Sequence, residues 1–376
     1  MQSGKMPPEM LIYGVLFLLV APILALCLIE LALAIFHPIP HSIESNMFFI
    51  ADPHTGFRLK PGGVGYFQMG IPAIANSHGH RDEEVALAKP AGVVRILVIG
   101  DSFTVGANVR QEEAWPKCLE RRLRSLLGPR IEVINSAVGG WDAFQYAQYF
   151  EYYGHRFQPD LVLVGFFVGN DAFDPRTEPQ QLPTAILGHR ISRDAAERAL
   201  TKYKVFLYDR SHLARLLLNR IPASPTYVRE RPDDFTDRYL AIQKSRLPNH
   251  LRDSPAQREK ARNSVNQIQR IQKRAGKTPV VVALLPDENQ VNPLLRERIV
   301  DRNELAAYDF GMPQSMLIEM FRELAIPTID VLPAILADPR CLYMNDTHWT
   351  REGHEVAASA ILAQLAPMLA RVDAPR

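Results

Sequence analysis

The sequence predicts an α/β protein, with a parallel β-sheet covered by helices on both faces and a membrane-spanning helix before it. From about residue 93, continuous apolar runs of strand length alternate with longer helix-like stretches, which is typical of a parallel sheet buried on both faces. A long apolar run lies near the N-terminus. The composition, 47% hydrophobic and 22% charged, excludes a disordered chain.

The N-terminal run over 10–36 contains one acidic residue, Glu30. About 20 apolar residues suffice to span a bilayer, so the run predicts a transmembrane anchor after a short tail over 1–9. A cleaved signal peptide stays open, although signal cores are usually about 7–15 residues long. Lys5 precedes the run and the next basic residue is Arg58. The positive-inside tendency therefore predicts a cytoplasmic N-terminus and an extracytoplasmic chain, periplasmic in a Gram-negative cell.

The segment over 37–92 has short polar and aromatic pieces with Gly-Pro punctuation, which predicts a small β-rich or irregular lead-in packed on the main domain. Within it, His78, His80 and Arg81 crowd together. They indicate either a substrate or metal site, or a turn with solvated side chains. Because no partner cluster occurs elsewhere in the sequence, the solvated turn is the favoured interpretation.

Five apolar segments predict the strands of the sheet, and each is followed by helix-like sequence. In chain order they lie in "VVRILVIG", "IEVINSAV", "PDLVLVGFFVGND", "TPVVVALLP" and "IPTIDV". The final stretch, "REGHEVAASAILAQLAPMLA", predicts a closing amphipathic helix. The main domain is therefore expected over 93–376.

The stretch over about 174–277 breaks this alternation. Helical pieces flank a proline-rich middle around "IPASPTYVRERPDD", which predicts a largely helical insertion between the third and fourth strands. Insertions at this edge often shape a binding cleft. Its basic residues are more typical of a solvated helix face than of a polyanion site.

Charge and cysteine content narrow the function classes. A net charge of +2 without a concentrated basic surface gives no indication of nucleic-acid binding. The three cysteines have neither metal-like nor disulfide-framework spacing, so no chemical role is assigned to any of them. No cofactor is predicted. Cys27 lies in the apolar run, and pairing of Cys118 with Cys341 stays open.

Distinctive residues follow the strand ends, where ligands bind in open α/β sheets. The first strand runs into "GDS" at Ser102, the second into "NSAVGGW" and the third into "GND", which contains Asn170. A later element, "NDTHW", supplies Asp346 and His348. We expect these residues to converge on one edge of the sheet.

The set matches the needs of a serine nucleophile. A hydroxyl needs a base within hydrogen-bond reach, and His348 can serve as that base. Asp346 is the candidate to hold the ring in the right tautomer. The backbone N–H groups of Ser102 and Gly140 and the side-chain amide of Asn170 would form an oxyanion hole. Taken alone, Ser102 is more typical of a helix cap than of a nucleophile.

Together these blocks resemble the SGNH (GDSL-type) hydrolases. "GDSFTVG" is similar to the family's first block, with the nucleophile at Ser102, and "NSAVGGW" to the second, with Gly140 at the oxyanion position. "GND" resembles the third block through Asn170, and "DTHW" the last through His348. The resemblance covers about 93–370. It implies a flavodoxin-like three-layer α/β/α sandwich and ester chemistry without a metal.

One spacing departs from the commonest family pattern. Many members place the acid three residues before the histidine, where this chain has Asn345, whereas Asp346 lies two before. That spacing, the tail "LYMNDTHWTREGH" and the strand exit "LLPDENQ" resemble a membrane-anchored branch related to alginate-type O-acetylation proteins. Asp101 is expected to support the turn rather than to perform acid–base chemistry.

The leading hypothesis is a membrane-anchored, extracytoplasmic serine esterase or O-acyltransferase. Its substrate would be an acyl ester, such as an acetylated polysaccharide or another envelope ester, with hydrolysis as the default outcome. One alternative is a lipase or thioesterase with an apolar groove built from "KVFLYDRSHLARLLL". Another is a non-catalytic subunit of a membrane complex that kept the fold. The sequence identifies no protein partner.

Overall fold

The computed structural model describes residues 8–38, 48–67, 71–173, 176, 178–218, 228–229 and 231–372. The strands in these ranges are β1 (Phe49–Asp52), β2 (Gly56–Leu59), β3 (Val64–Tyr66), β4 (Pro72–Ile74), β5 (Val94–Gly100), β6 (Ile131–Asn135), β7 (Leu161–Phe167), β8 (Thr184–Ile186), β9 (His189–Ile191), β10 (Val280–Leu285) and β11 (Thr328–Asp330).

The helices vary from single turns to long rods. They are α1 (Pro8–Phe36), α2 (Ser102–Val105), α3 (Trp115–Leu127), α4 (Ala143–Tyr152), α5 (Arg193–Ala196), α6 (Thr201–Arg210), α7 (His212–Leu218), α8 (Asp237–Ser245), α9 (Pro255–Ala275), α10 (Glu288–Val291), α11 (Pro293–Ile299), α12 (Met312–Glu323), α13 (Leu332–Ala337) and α14 (Arg351–Val372).

A five-stranded sheet in the order β11-β10-β7-β5-β6 forms the centre of the fold. Each neighbouring pair of strands is parallel, which confirms the predicted sheet. Strand β6 lies on one side of β5, and the next strand in the chain, β7, lies on the other side of β5. Open sheets of this kind bind ligands at the carboxyl ends of the strands where the strand order reverses, so the β5 terminus is the expected location of a site.

Both faces of the sheet are covered, as the continuous apolar strands predict. In β5, Leu97 and Ile99 join a core that includes residues of α4, α9 and α12. The alternate residues Ile96 and Val98 join a second core with α3, α13 and α14. This alternation follows from the two-residue period of a strand. The result is the predicted three-layer α/β/α arrangement.

The lead-in packs on the α4 side of the sheet through short antiparallel pairs, β1 with β2 and β3 with β4. The indole Nε1 of Trp141 donates to the carbonyl of Phe57 at 2.9 Å. Gln145 Nε2 donates to the carbonyl of Thr55 at 2.6 Å. The first turn of α4 is therefore tied to the lead-in by buried hydrogen bonds.

The cluster around His78 is not a solvated turn, which corrects the favoured interpretation of the sequence. His80 and Arg81 are 3% and 0% exposed. The His80 ring pairs through Nε2 with the hydroxyl of Tyr149 at 2.7 Å, and His78 Nε2 lies 2.8 Å from the carbonyl of Val85. Tyr149 of the main domain and Val85 of the lead-in itself supply the partners that allow these two imidazoles to be buried.

Within the predicted insertion, the structure describes the β8–β9 hairpin and the helices α5 to α9. Helix α9 lies in a layer that covers the sheet and is the last helix before β10. Ala261, Val265, Ile268 and Ile271 form its buried stripe. The remaining residues of α9 are mostly polar, so its sequence resembles that of a solvated helix although one narrow face belongs to the core.

Helix α1 contains the stretch Leu16–Phe36, which is long and apolar enough to cross a membrane and is not buried inside the protein. It packs on α7. Of the cysteines, Cys118 is a buried free thiol and Cys341 a partly exposed one.

Candidate active site

Ser102 lies in the turn that joins β5 to α2. Asp101 is the N-cap of this helix, because its Oδ1 accepts the N–H of Phe103 at 2.9 Å. Gly106 ends the helix with φ +78°, a left-handed conformation that suits glycine. Ser102 is therefore the first residue of α2 rather than its cap, and its side chain is not needed to satisfy the helix terminus.

The turn after β6 lies beside Ser102. Val138 donates its N–H to the carbonyl of Gly100 at 3.1 Å, and Trp141 donates to Val138 at 3.1 Å. Gly140 has φ +83°, which the third position of this turn requires of glycine. A Cβ at Gly139 would lie 3.7 Å from that of Ser102. The structure thus brings Gly139 next to the serine, and Gly140 follows it in the same turn.

The end of β7 contributes the amide of Asn170, whose Nδ2 lies 3.4 Å from Asp101 Oδ2. The next residue, Asp171, is buried and accepts the hydroxyl of Tyr146 at 2.8 Å and the N–H of Phe167 at 2.9 Å. These bonds fix the turn, so the Asn170 side chain is directed toward the β5 terminus.

Burial raises the pKa of Asp101 to about 6, although its bond from Phe103, the nearby His348 and the Asn170 amide act in the opposite direction. Burial, with the negative charge of Asp101 nearby, also raises the pKa of Asp171. Because the two buried carboxylates would repel each other, the pair favours a state in which one of the two carboxyl groups keeps its proton.

Asp346 and His348 form a hydrogen-bonded pair. Asp346 Oδ2 lies 2.9 Å from His348 Nδ1, and Oδ1 accepts the His348 backbone N–H at 3.1 Å. Thr347 between them has φ +83°, a conformation that is strained for a β-branched residue. The side-chain amide of Asn108 also donates to Asp346. A two-residue spacing is therefore sufficient for the carboxylate to hold the imidazole.

The imidazole of His348 packs on Phe103, the residue after Ser102, with ring centroids 5.3 Å apart. Burial alone would lower the pKa of His348, but the Asp346 carboxylate and the charge of Asp101 raise it above its ordinary value. For Asp346, burial acts to raise the pKa, and the charge and hydrogen bonds of His348 lower it overall. The two partners therefore favour the ion pair.

Asn345, at the position where many related sequences have the acid, makes other contacts. Its Oδ1 accepts Arg229 Nε at 3.1 Å, and its Nδ2 donates to the carbonyl of Asp234 at 2.9 Å. Arg229 in turn donates its Nη2 to Glu288 at 2.8 Å. Asn345 thus links the histidine turn to a buried ion pair between Arg229 of the insertion and Glu288 of α10.

Two arginines near the site were missed by sequence reasoning, and both come from the predicted insertion. The Arg190 guanidinium lies against Gly140, since a Cβ there would be 1.5 Å from Arg190 Nη1. Arg246 lies over the Phe167 ring, 5.2 Å from its centroid, and donates to Asp287 at 3.1 Å. No local pattern marks either residue, because only the path of the insertion brings them here.

Arg81 belongs to the sequence cluster of His78 and His80, and the structure gives it a role that the sequence does not indicate. Its Nη1 donates to the carbonyls of Val105 at 2.9 Å and Gly106 at 2.7 Å, and its Nη2 to that of Val109 at 2.7 Å. Arg81 therefore fixes the loop after α2. The same loop carries Asn108, the hydrogen-bond donor to Asp346.

The arrangement gathers a serine, a histidine paired with a carboxylate and several hydrogen-bond donors at one edge of the sheet. Such a set is suited to acyl transfer through a covalent intermediate. In the part of the chain that the structure describes, no group of three or more His, Cys, Asp or Glu residues could hold a metal ion.

Residues 98–356 match the GDSL-like lipase/acylhydrolase family, whereas no curated protein matches the chain. Among solved structures, the lipase/acylhydrolase from Enterococcus faecalis shares 13% identity, with a TM-score of 0.38 over 73% of this chain and 97% of that one. A carbohydrate acetylesterase family member from Sinorhizobium meliloti shares 11%, with a TM-score of 0.39 over 74% and 100%.

An acetyl xylan esterase shares 12% identity, with a TM-score of 0.39 over 72% of this chain and 98% of its own. The family match carries the assignment because it extends over more than half of the sequence and includes the turns after β5, β6 and β7 and the Asp346–His348 pair. The chain therefore belongs to the GDSL-like lipase/acylhydrolase family, the SGNH hydrolases, a family of serine esterases and acylhydrolases.

Proposed function

We propose that the protein is a membrane-anchored, extracytoplasmic serine esterase that cleaves or transfers an acyl group, such as acetyl, on a glycan or another envelope ester. The catalytic part of the proposal rests on one observation: the Asp346–His348 pair packs against the turn that carries Ser102. The two-residue spacing of that pair also supports the O-acetylation branch, and hence a glycan ester as substrate.

In the proposed reaction, the Ser102 Oγ attacks the ester carbonyl and its proton passes to His348 Nε2. Asp346 stabilises the imidazolium that forms. The backbone N–H groups of Ser102 and Gly140 and the Asn170 amide donate to the oxyanion. The intermediate collapses, the carbon–oxygen bond to the alcohol breaks, and the alcohol takes the proton from His348.

Deacylation repeats these steps with a new nucleophile. Water, or a sugar hydroxyl in a transfer reaction, attacks the acyl-serine while His348 accepts its proton. Collapse of the second intermediate releases the acid or the new ester and returns the proton to Ser102 Oγ. The neutral form of His348 is needed at both attacks, and the pKa of this residue is raised. The rate is therefore expected to increase with pH until the imidazole is neutral.

The membrane part of the proposal is supported by α1. Its stretch Leu16–Phe36 is apolar and unburied, and the first basic residue after it is Arg58. The positive-inside tendency then favours an extracytoplasmic catalytic domain. Protease treatment of intact and permeabilised spheroplasts tests this orientation. Digestion of the domain in the intact spheroplasts is expected, and protection until permeabilisation would contradict it.

Hydrolysis of p-nitrophenyl acetate by the purified full-length protein tests the chemistry. Ser102→Ala should abolish acetate release and labelling by a fluorophosphonate probe. Ser359→Ala, a matched change on the exposed face of α14, should leave both unchanged. Equal rates for the wild type and Ser102→Ala, or no hydrolysis by the wild type, would refute the proposed mechanism.

Two further assays identify the substrate class. A series of p-nitrophenyl esters of increasing acyl length should show a preference for acetyl, whereas a rate that increases with chain length would favour a lipase or thioesterase. Addition of a soluble oligosaccharide tests the acceptor, since transfer would yield an acetylated sugar at the expense of free acetate.

A further inference from the structure

We infer that α6 and α7 form a membrane-interface hairpin, a second and non-spanning element that lies in the bilayer surface beside α1. The hairpin comprises residues 201–218. The inference rests on the proposed anchoring by α1 and extends it, because it assigns a lipid-binding surface to a part of the predicted insertion. Four features of the structure support it.

The first feature is the contact with α1. The Glu30 carboxylate accepts hydrogen bonds from Ser211 Oγ at 2.7 Å and from the backbone N–H groups of His212 at 2.6 Å and Leu213 at 2.8 Å. A carboxylate in an otherwise apolar membrane helix is costly unless it is paired. Here Glu30 is satisfied by the N-terminus of α7, so the hairpin and α1 are held at the same depth.

The second feature is that the junction between α6 and α7 satisfies its own polar groups. Arg215, 4% exposed, donates Nη1 to the carbonyls of Asp209 at 2.9 Å and Tyr208 at 3.2 Å. Ser211 Oγ accepts the N–H of Ala214 at 3.0 Å. Backbone groups in a lipid environment must be paired internally. This junction meets that requirement.

The third feature is the outer surface of the hairpin, which is apolar and exposed. Four of its large apolar side chains are more than half exposed: Tyr203 68%, Phe206 52%, Leu207 53% and Leu217 73%. Lys202, Lys204 and Arg210 lie among them and are also exposed. Aromatic and aliphatic residues with interspersed cations are typical of helices in the headgroup region. Contiguous exposed apolar surface on a soluble domain is otherwise unusual.

A bilayer fits this surface better than a second copy of the chain does. The hairpin contacts α1, whose own apolar stretch is unburied. The lipid that would surround α1 in a membrane would therefore also reach the hairpin. The cations add attraction to anionic lipid headgroups. On this inference, the exposed apolar residues of "KVFLYDRSHLARLLL" face lipid and do not line a groove that holds an acyl chain.

The fourth feature is the connection from the hairpin to the candidate active site. The His189 ring in β9 packs on Tyr208 of α6, with centroids 6.0 Å apart, and its Nε2 lies 3.8 Å from Asp209. The next residue, Arg190, lies against Gly140. Lipid binding by the hairpin would therefore fix the Gly140 side of the site relative to the membrane surface.

Fluorescence quenching in vesicles tests the inference. The full chain is reconstituted into phosphatidylethanolamine–phosphatidylglycerol vesicles with and without brominated acyl chains. Tryptophan is introduced by Phe206→Trp or Leu217→Trp. Leu24→Trp reports on the anchor, and Leu126→Trp, 60% exposed on α3, is the matched control. The native residues Trp115, Trp141 and Trp349 are buried and give the baseline.

Brominated lipid should remove the added fluorescence of Phe206→Trp, Leu217→Trp and Leu24→Trp, and leave that of Leu126→Trp. Quenching at Leu24 without quenching at either hairpin position overturns the inference and leaves the anchor intact. A blue-shifted but unquenched emission at the hairpin positions would also overturn the inference, because it would indicate that a second copy of the chain, and not lipid, covers the hairpin. No quenching at Leu24 overturns the anchor and the inference with it.

A second variant covers the case in which a tryptophan disturbs the hairpin. Glu30→Gln removes the charge that pairs with α7, and Glu9→Gln is the matched change at the other end of α1. In the Phe206→Trp background, Glu30→Gln should reduce quenching and Glu9→Gln should not. Equal quenching in both would show that Glu30 does not hold the hairpin at the lipid surface. Circular dichroism melts establish that each variant is folded.

Discussion

Asp101 and Ser102 share the turn between β5 and α2 but make different interactions. Asp101 caps the helix, so the Ser102 hydroxyl is not committed to the helix terminus. The sequence alone could not separate these roles, since both residue types are common N-caps. The distinction matters for the mechanism, because a nucleophile must be able to exchange its proton with a base.

Gly140 offers a test at the residue scale. Gly140→Ala should reduce kcat by about 10²- to 10³-fold, the usual effect of losing one oxyanion donor. The backbone at Gly140 has φ +83°, which is strained for alanine, and an alanine Cβ would collide with the Arg190 guanidinium. Both effects would displace the Gly140 N–H. Steady-state kinetics with p-nitrophenyl acetate measure the effect.

Gly139→Ala is the matched control for this prediction. Its Cβ would make only ordinary contact with Ser102, at 3.7 Å, and its φ lies outside the left-handed region. We expect it to retain most of the activity. If Gly139→Ala and Gly140→Ala were equally impaired, the loss would reflect crowding of the turn rather than the position of the Gly140 N–H.

The acid of the proposed triad is tested by pH dependence. The Asp346 carboxylate stabilises the protonated His348 ring and thereby raises its pKa. Asp346→Asn should therefore move the acid limb of kcat/KM to lower pH, while kcat falls by roughly 10²- to 10⁴-fold. Rate profiles of the two proteins across the acid limb measure both effects.

Asn345→Ala is the neighbouring control. Asn345 bonds to Arg229 and Asp234, so its loss should lower the melting temperature and leave the acid limb in place. A shift of the limb in Asn345→Ala, with none in Asp346→Asn, would reverse the assignment of the acid.

At the scale of elements, the strands were predictable and several of their contacts were not. Four of the five central strands, β5, β6, β7 and β10, are almost entirely buried, so each appears in the sequence as an apolar run. In β11 only Ile329 is buried. Helix α9 buries only a narrow stripe, which a largely polar sequence conceals. The buried state of His80 was equally hidden, because its partner Tyr149 lies far away in the chain.

Arg81 allows a prediction about an element, the loop after α2. This buried guanidinium donates to three carbonyls of the loop, and no shorter side chain can reach all of them. Arg81→Met should lower the free energy of unfolding by about 2–4 kcal/mol, because charged hydrogen bonds are lost and buried carbonyls are left unpaired. Urea denaturation measures this change.

Lys60→Met, an exposed change on the same lead-in segment, is expected to be neutral. Arg81→Lys should fail to restore stability, because an ammonium group lacks the planar fork of donors. Full stability of Arg81→Lys would show that only the charge of this residue matters.

At the scale of the whole molecule, the candidate site draws on segments of very different predictability. Ser102, Gly140 and Asn170 could be predicted as candidates because each follows a strand that the apolar pattern reveals, and His348 because it lies just before the closing helix. Arg190 and Arg246 could not, since the position of the insertion depends on tertiary packing that leaves no periodic signal. The sequence therefore predicts the candidate residues of the proposed chemistry but not the two arginines that lie beside them.

The lead-in is expected to be an integral part of the catalytic domain rather than a linker. It covers Trp141 and Gln145, and its Asp82 accepts the N–H of Asn135 at 2.7 Å and pairs with Lys117 at 2.7 Å. Loss of residues 1–92 would expose the surface around Trp141 and would remove Asp82, one of the two carboxylates that pair with the buried Lys117 ammonium, the other being Glu120, which is costly. Loss of residues 1–38 removes α1 and keeps these contacts.

The two truncated proteins should therefore differ sharply. In detergent, the protein that lacks residues 1–38 is expected to melt cooperatively by circular dichroism and to hydrolyse p-nitrophenyl acetate like the full chain. The protein that lacks residues 1–92 is expected to lose both properties, since Arg81 and its hold on the loop of Asn108 are removed as well. Cooperative melting at an unchanged temperature, with unchanged kcat/KM, would instead make the lead-in an accessory. The fold would then begin at β5, and the Asp346–His348 pair would need no support from outside the sheet.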